Sequence, residues 1–261
     1  MPAPVSFRDM VSTLPRGVGR VSVAVGPVTR IVIDAPAKKN ALDPHMMVEF
    51  ADAARLAHGA SVILVRGAGD AFCSGGDLAA VRDYLARPGV GAQLGAFMAD
   101  AVGLLRASGA FIVAAATGPA LGGGAELLAA CDLVFASPSV RVGWVQARLG
   151  VSPGFGGGAN LVARVGARRA LRLLVEAAPL SATGAKEVGL IDEIVDDPVA
   201  SAEAWIARAA ELPAEALRGA VRLVRATDAP ASREELRVFT DLWGGPAHVA
   251  ALAAARARPR S

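Results

Sequence analysis

Apolar and polar positions follow two different periods along this chain, and the switches between them lay out its elements. "VGRVSVAVGPVTRIVID" (18–34) is rich in β-branched residues on both sides of Gly26-Pro27, which predicts a hairpin. "NALDPHMMVEFADAARLAH" (40–58) moves to helical spacing, with Asp43 as N-cap and Pro44 at the first helical position. "SVILVRG" (61–67), "FIVAAATG" (111–118) and "DLVFAS" (132–137) are short apolar runs, the pattern of strands buried on both faces. Helical periodicity fills 77–87, 93–106 and the stretch that follows Gly122–Gly124 as far as Ala130. Ser181 to Gly189 reads as a capped helix leading into "LIDEIVDD", another short strand. Beyond about residue 197 the pattern is wholly helical, punctuated by Pro213, Pro230 and Pro246. The repeating strand, loop and helix predict an α/β core over 1–196 and a helical region over 197–261.

Composition narrows the function classes. A chain of 261 residues, 53% hydrophobic and 20% charged, can bury a sizeable core. Net charge is +3 with the basic residues scattered and only 5% aromatics, so the stripe that nucleic-acid binding needs is missing. Cys73 and Cys131 lie far apart, and His45, His58 and His248 share no metal spacing, so neither a disulfide framework nor a metal site is expected. "MPAPVSFRDM" has no apolar core of a secretory signal, which points to the cytoplasm. The longest uncharged run, Ala107 to Ala125, is long enough to span a bilayer but is broken by Gly109, Gly118, Pro119 and Gly122–Gly124. A strand, a loop and a helix start fit it better, and no membrane partner is expected.

Several chemical motifs fail on inspection. There is no GxxxxGK[ST], so this is not a P-loop NTPase. "GFGGGA" (154–159) lacks the third glycine of a dinucleotide fingerprint. "FCSGG" has Phe72 where a nucleophile elbow needs its first glycine. Tyr84 is the one tyrosine and reads as amphipathic packing, and Arg148 as surface.

Two glycine-rich turns survive, "AFCSGGDL" (71–78) and "PALGGGAEL" (119–127), each after a buried strand. Each offers bare backbone amides at a predicted helix start, where the dipole favours negative charge. Side by side, two such turns would aim a pair of N–H groups at one oxygen, as an oxyanion or enolate requires.

In this order and spacing the turns resemble those of the crotonase (enoyl-CoA hydratase/isomerase) superfamily. "KKNALD", "FCSGGDL", "GPALGGGAELLAACD", "LGVSPGFGGGANLVARVGARRALRLL" and "SATGAKEVGLIDEIV" each match a family segment, in sequence order over nearly the whole chain. The resemblance implies an α/β spiral of ββα turns whose C-terminal helices cover the site and build homotrimers or dimers of trimers. It implies an acyl-CoA thioester as substrate and no separate cofactor, coenzyme A being part of the substrate. Carried over by position, the oxyanion-hole amides would be those of Ser74 and Gly123. The coenzyme A path would run along Lys38 to Ala41 and along Ser74, Gly75, Gly76, Asp77 and Leu78.

The resemblance also bears on the reaction. Hydratases of the superfamily use two glutamates, because adding water across a double bond needs an acid and a base. Glu126 stands at the first position, and Gln146, within "VGWVQARLGVSPGFGG", stands at the second. Glutamine exchanges no proton near neutral pH. Members that decarboxylate malonyl-type thioesters keep the first glutamate and lose the second, and "DLWGGPAHVAAL" (241–252) is similar to a stretch found in them. Decarboxylation of an alkylmalonyl-CoA, ethylmalonyl- or methylmalonyl-CoA, is therefore the first expectation. Enoyl-CoA hydration or isomerisation is the alternative, and a non-catalytic subunit of the same fold comes third.

Overall fold

The computed structural model describes residues 6–77, 80 and 90–225. Leu78, Tyr84, most of the helix expected over 77–87, and everything from 226 onward lie outside the described residues.

The hairpin forms where β-branched residues flank Gly26-Pro27. β1 (Arg20–Ala24) and β2 (Val28–Asp34) pair antiparallel with Arg20 opposite Asp34. α1 (Phe7–Ser12), which periodicity did not reveal, precedes it. α2 (Pro44–Leu56) begins as expected, the Asp43 carboxylate accepting from the Met46 amide at 2.9 Å. β3 (Val62–Gly67), α3 (Val90–Ala107), β4 (Phe111–Ala116), β5 (Ala120–Leu121), α4 (Gly123–Ala129) and β6 (Leu133–Ala136) follow. The apolar run 107–125 is thus a strand, a turn and a helix start. No helix among the described residues is long and apolar enough to cross a membrane.

β7 (Arg141–Gly143), a 3-10 turn (Gln146–Leu149), α5 (Gly157–Val165), α6 (Ala167–Glu176), β8 (Leu180–Ser181) and α7 (Ala182–Glu187) come next. β9 (Glu193–Ile194), α8 (Pro198–Ala209) and α9 (Ala214–Arg225) complete the described chain. The main sheet runs β1-β2-β3-β4-β6-β9, parallel from β2 onward, and a small second sheet runs β5-β7-β8. Strands of two or three residues leave no periodic signal, which is why the second sheet was not legible beforehand.

Both faces of the sheet are covered at β3 and β4, which accounts for their uninterrupted apolar runs. Along β3 and β4, Ile63, Val65, Ile112 and Ala114 pack into the large core beside α2, α3 and α4. Their neighbours Val62, Leu64, Val113 and Ala115 pack the other way, against Ala202 and Ile206 of α8. Phe111 and Trp205 stack at 5.0 Å on that second face. The helices expected after residue 197 therefore lie on the sheet as far as Arg225.

One loop ties the strand ends to the site. Lys39 and Asn40 take left-handed backbone angles, φ 52° and 56°. Asn40 is fully buried, its Oδ1 accepting from Ala35 N at 2.8 Å and its Nδ2 donating to Ala68 O and Ala71 O at 2.8 and 2.7 Å. This one side chain clips the loop after β2 to the start of the first glycine turn. Asn40→Ala would strand two buried backbone groups, Ala35 N and Ala71 O, and the part-buried Ala68 O, at ~1–3 kcal/mol for each buried group. We expect urea unfolding of the variant to show a loss of at least ~2 kcal/mol with an unchanged slope.

Candidate active site

Two glycine turns meet at the edge of the core. Cys73 and Ala120 form a parallel bridge, Cys73 N donating to Pro119 O at 3.1 Å and Leu121 N to Cys73 O at 3.0 Å. The contact is so close that a Cβ on Gly124 would stand 1.8 Å from Cys73 O. Gly75 takes φ +96°, and a Cβ there would lie 3.0 Å from Leu121 O and 3.1 Å from Gly123 N. Glycine at these positions is a steric requirement of two backbones docking. The sequence predicted this pair of turns side by side, and the structure brings them together.

Gly123 opens α4, where helix geometry leaves its N–H without an intrahelical acceptor. A Cβ on Gly123 would meet the Phe155 ring at 2.4 Å, so the ring packs directly against Gly123. Ser74 stands on the other turn, but its N–H donates to Lys39 O at 3.0 Å and its hydroxyl to Lys38 O at 3.2 Å. The Ser74 amide must exchange that carbonyl for any ligand oxygen, whereas the Gly123 amide need not.

The residues expected along the coenzyme A path surround the same turn. Leu42 N donates to Gly75 O at 2.7 Å and Asp77 N to Leu42 O at 2.9 Å, so Leu42, next to Ala41, forms one backbone seam with Gly75, Gly76 and Asp77. Lys38 Nζ pairs with the buried Asp77 at 2.5 Å, and Asp77 raises the lysine above its ordinary value. Asp77 also accepts from Ala80 N at 3.1 Å. Lys38, Ala41 and Asp77 line one cavity of about 320 Å³ together with Arg20 and Asp43. No cluster of three potential metal ligands occurs among the described residues.

Glu126, in the first turn of α4, is 1% exposed. Its Oε1 accepts from Gln146 Nε2 at 2.8 Å and from Gly154 N at 3.2 Å, and its Oε2 from Phe155 N at 2.8 Å and Gly157 N at 2.9 Å. A carboxylate has about four lone-pair positions, and here all are occupied. Gly157 N is the first amide of α5, so Glu126 sits at the positive end of that helix. Burial pushes Glu126 above the usual carboxylate range, while the amides of Gly157, Phe155 and Gly154 and the Gln146 side chain pull it back.

Gln146 is buried in the 3-10 turn after β7, beside the triple-glycine turn. Its Nε2 is spent on Glu126, and its Oε1 is buried without a donor. Arg148 points away and donates to Ala177 O at 2.6 Å, consistent with its reading as surface.

Phe155 and the amides of Gly154 and Gly157 belong to the site, and motif reading did not single them out. The signal was present in "GFGGGA", which fails as a dinucleotide fingerprint but supplies three backbone donors to one carboxylate. A Cβ on Gly157 would strike Glu126 Cβ and Cγ at 2.3 Å, which is why that cradle is built from glycine.

A raised carboxyl carries a definite sign for stability. Between the ordinary value of 4.5 and the higher folded value, the native state binds more protons than the unfolded chain. The Glu126 contribution is therefore fully present in acid and is lost as pH rises through the folded value. We expect the unfolding free energy of wild type relative to Glu126→Gln to decline over that rise, measured by urea titrations at a series of pH values.

Matches to known proteins identify the family and the fold. Residues 25–241 fit the enoyl-CoA hydratase/isomerase family profile. An ethylmalonyl-CoA decarboxylase from Danio rerio is 35% identical over 235 residues, covering 85% of this chain and 78% of that protein. A crystal structure from Mycobacterium abscessus, described as an enoyl-CoA hydratase/isomerase, superposes with a TM-score of 0.84 at 27% identity, covering 92% of this chain and 97% of that one. One from Thermobifida fusca, described as an enoyl-CoA hydratase in complex with acetoacetyl-CoA, reaches a TM-score of 0.77 at 26% identity over 85% of this chain and 93% of that one. Because the profile spans residues 25–241 and the Danio rerio relative is 35% identical over 85% of the chain, this protein belongs to the enoyl-CoA hydratase/isomerase, or crotonase, family.

Proposed function

We propose that the protein stabilises the enolate of an acyl-CoA thioester and decarboxylates an alkylmalonyl-CoA, such as ethylmalonyl- or methylmalonyl-CoA. The observation that carries this reading is the 2.8 Å hydrogen bond from Gln146 Nε2 to Glu126 Oε1. On this reading a neutral amide occupies the position where two-carboxylate hydration would need a second proton-exchanging group. Decarboxylation has no such need. The bond between the α-carbon and the carboxylate breaks, CO2 leaves, and the electron pair passes into the thioester as an enolate.

The Gly123 amide meets that enolate oxygen first, joined by Ser74 once its N–H leaves Lys39 O. One such donor is worth ~3–4 kcal/mol of barrier. Lys38, Ala41, Gly75, Gly76 and Asp77, with Leu78 beyond them, guide the coenzyme A moiety. The name of the Danio rerio relative supports the substrate class, and the acetoacetyl-CoA complex of the Thermobifida fusca protein supports a thioester ligand.

We further propose a cytoplasmic homotrimer or dimer of trimers, with 1–196 as catalytic core and 197–261 serving assembly and site cover. Exposed Leu149, Val151, Leu171 and Val175 supply apolar surface for assembly. Light scattering at micromolar concentration should give a mass of three or six chains, and a monomer would refute the assembly.

The reaction is tested by mass spectrometry of products from ethylmalonyl-, methylmalonyl- and crotonyl-CoA. We expect CO2 release from an alkylmalonyl-CoA by wild type. Gln146→Glu should slow it by at least ~10-fold, because a second carboxylate would repel the substrate anion. Hydration or isomerisation of an enoyl-CoA with no CO2 from either malonyl thioester would replace decarboxylation with the alternative reading.

A further inference from the structure

A buried Glu126 poses a difficulty for a substrate that is itself a carboxylate. Two anions in one water-poor site repel, and one of them must take up a proton or lose its place. Of the four donors on Glu126, one can reverse to accept that proton. Three of the four donors on Glu126 are backbone N–H groups of Gly154, Phe155 and Gly157, which have no means of reversing. The fourth is the side-chain amide of Gln146, which becomes an acceptor by turning over about its last bond. The same amide carries the buried Oε1 that has no donor.

We propose that Gln146 and Glu126 form a reversible pair that admits a carboxylated acyl-CoA together with one proton. The proton goes onto Glu126 Oε1, and the Gln146 amide turns over to accept from it. That exchange satisfies the orphaned Gln146 Oε1 and frees its NH2 to donate to the incoming carboxylate. All three backbone contacts to Glu126 survive, so the cradle at the start of α5 is undisturbed. Gln146 is thereby a specificity residue for carboxylated thioesters, beyond its role as a replacement for a second glutamate. A glutamate at that position would add a charge, and an apolar residue would present no donor.

This inference rests on the decarboxylase reading, and the proton balance fits it. Loss of CO2 from an alkylmalonyl thioester anion consumes one proton, which ends in a new bond to the α-carbon. The proton admitted with the substrate is that proton: its bond to Glu126 Oε1 breaks as the carbon–hydrogen bond forms, and Gln146 turns back. No charged side chain among the described residues touches Glu126 to take over its titration. On the surrounding elements, Arg148 is turned to Ala177 O, Arg164 of α5 to Cys131 O and Asp192, Arg106 of α3 to Ala130 O, and Asp100 of α3 is exposed.

The test is proton uptake on binding, measured by calorimetry in buffers of different ionisation enthalpy. The ligand is a carboxyalkyl thioether of coenzyme A, which has no thioester carbonyl and so releases no CO2. The control is the alkyl thioether of equal length. We expect uptake of one proton per site with the carboxyalkyl ligand and none with the control. Gln146→Leu should abolish the uptake and weaken the carboxyalkyl ligand roughly ten-fold or more, leaving the control within about two-fold. Gln146→Met serves where the leucine variant does not fold. No uptake with the carboxyalkyl ligand, equal uptake with both, or equal weakening of both in the variant would overturn the pair. CO2 release from ethylmalonyl-CoA by wild type is scored separately. Release without proton uptake discards the pair and keeps the decarboxylase, whereas hydration without release discards the decarboxylase itself.

Discussion

A carboxylate that is 1% exposed has to be satisfied completely or not be there, and much of this site follows from satisfying Glu126. The chain does it with the backbone amides of Gly154, Phe155 and Gly157 and one side-chain amide. That solution fixes the entry to α5, brings Phe155 over Gly123, and forces glycine at position 157. It also decides where Gln146 stands, because an ionised carboxylate accepts only from the NH2 side of the amide. The orphaned carbonyl of Gln146 is the residue of that choice. The protein carries its cost at the place where the chemistry is proposed to occur.

The second constraint is backbone approach. The turns at 73–76 and 119–124 come together as short parallel ladders, too close for any side chain on Gly124. Strand-like hydrogen bonds make this contact stiff, so the Gly123 amide is held in place before a ligand arrives. On the other turn Ser74 is tied to Lys39 O, and Asn40 ties that same loop to the strand ends. The two halves of the candidate oxyanion hole thus differ in readiness. In the proposed reaction a thioester oxygen would meet the Gly123 amide directly and would have to draw the Ser74 amide from Lys39 O.

The main elements were legible from periodicity because each buries a distinct face. The hairpin at Gly26-Pro27, α2 behind Asp43, the buried strands β3, β4 and β6, and α7 behind Ser181 all stand where the pattern put them. The two glycine turns were legible for a related reason: glycine triplets before a helix are costly unless bare amides are needed. Elements held by distant partners were not. β5, β7 and β8 owe their existence to pairing across long stretches of chain, and α1 is a single short helix packed against α2. β9, expected within "LIDEIVDD", survives as two residues paired with β6.

The sequence alone determined two amide-bearing glycine turns, since residue type and order set that possibility, and its resemblance to the crotonases singled out one glutamate and one glutamine as candidates beside them. It could not show how the lone pairs of Glu126 are filled. That depends on residues 28 to 31 positions further along the chain meeting a carboxylate on α4, a closure that only packing α5 against α4 achieves. Nor could it show that Ser74 gives its amide to Lys39, because a backbone hydrogen bond leaves no mark on side-chain chemistry. Residue identity fixed which groups were available, and tertiary structure decided which of them were already spent.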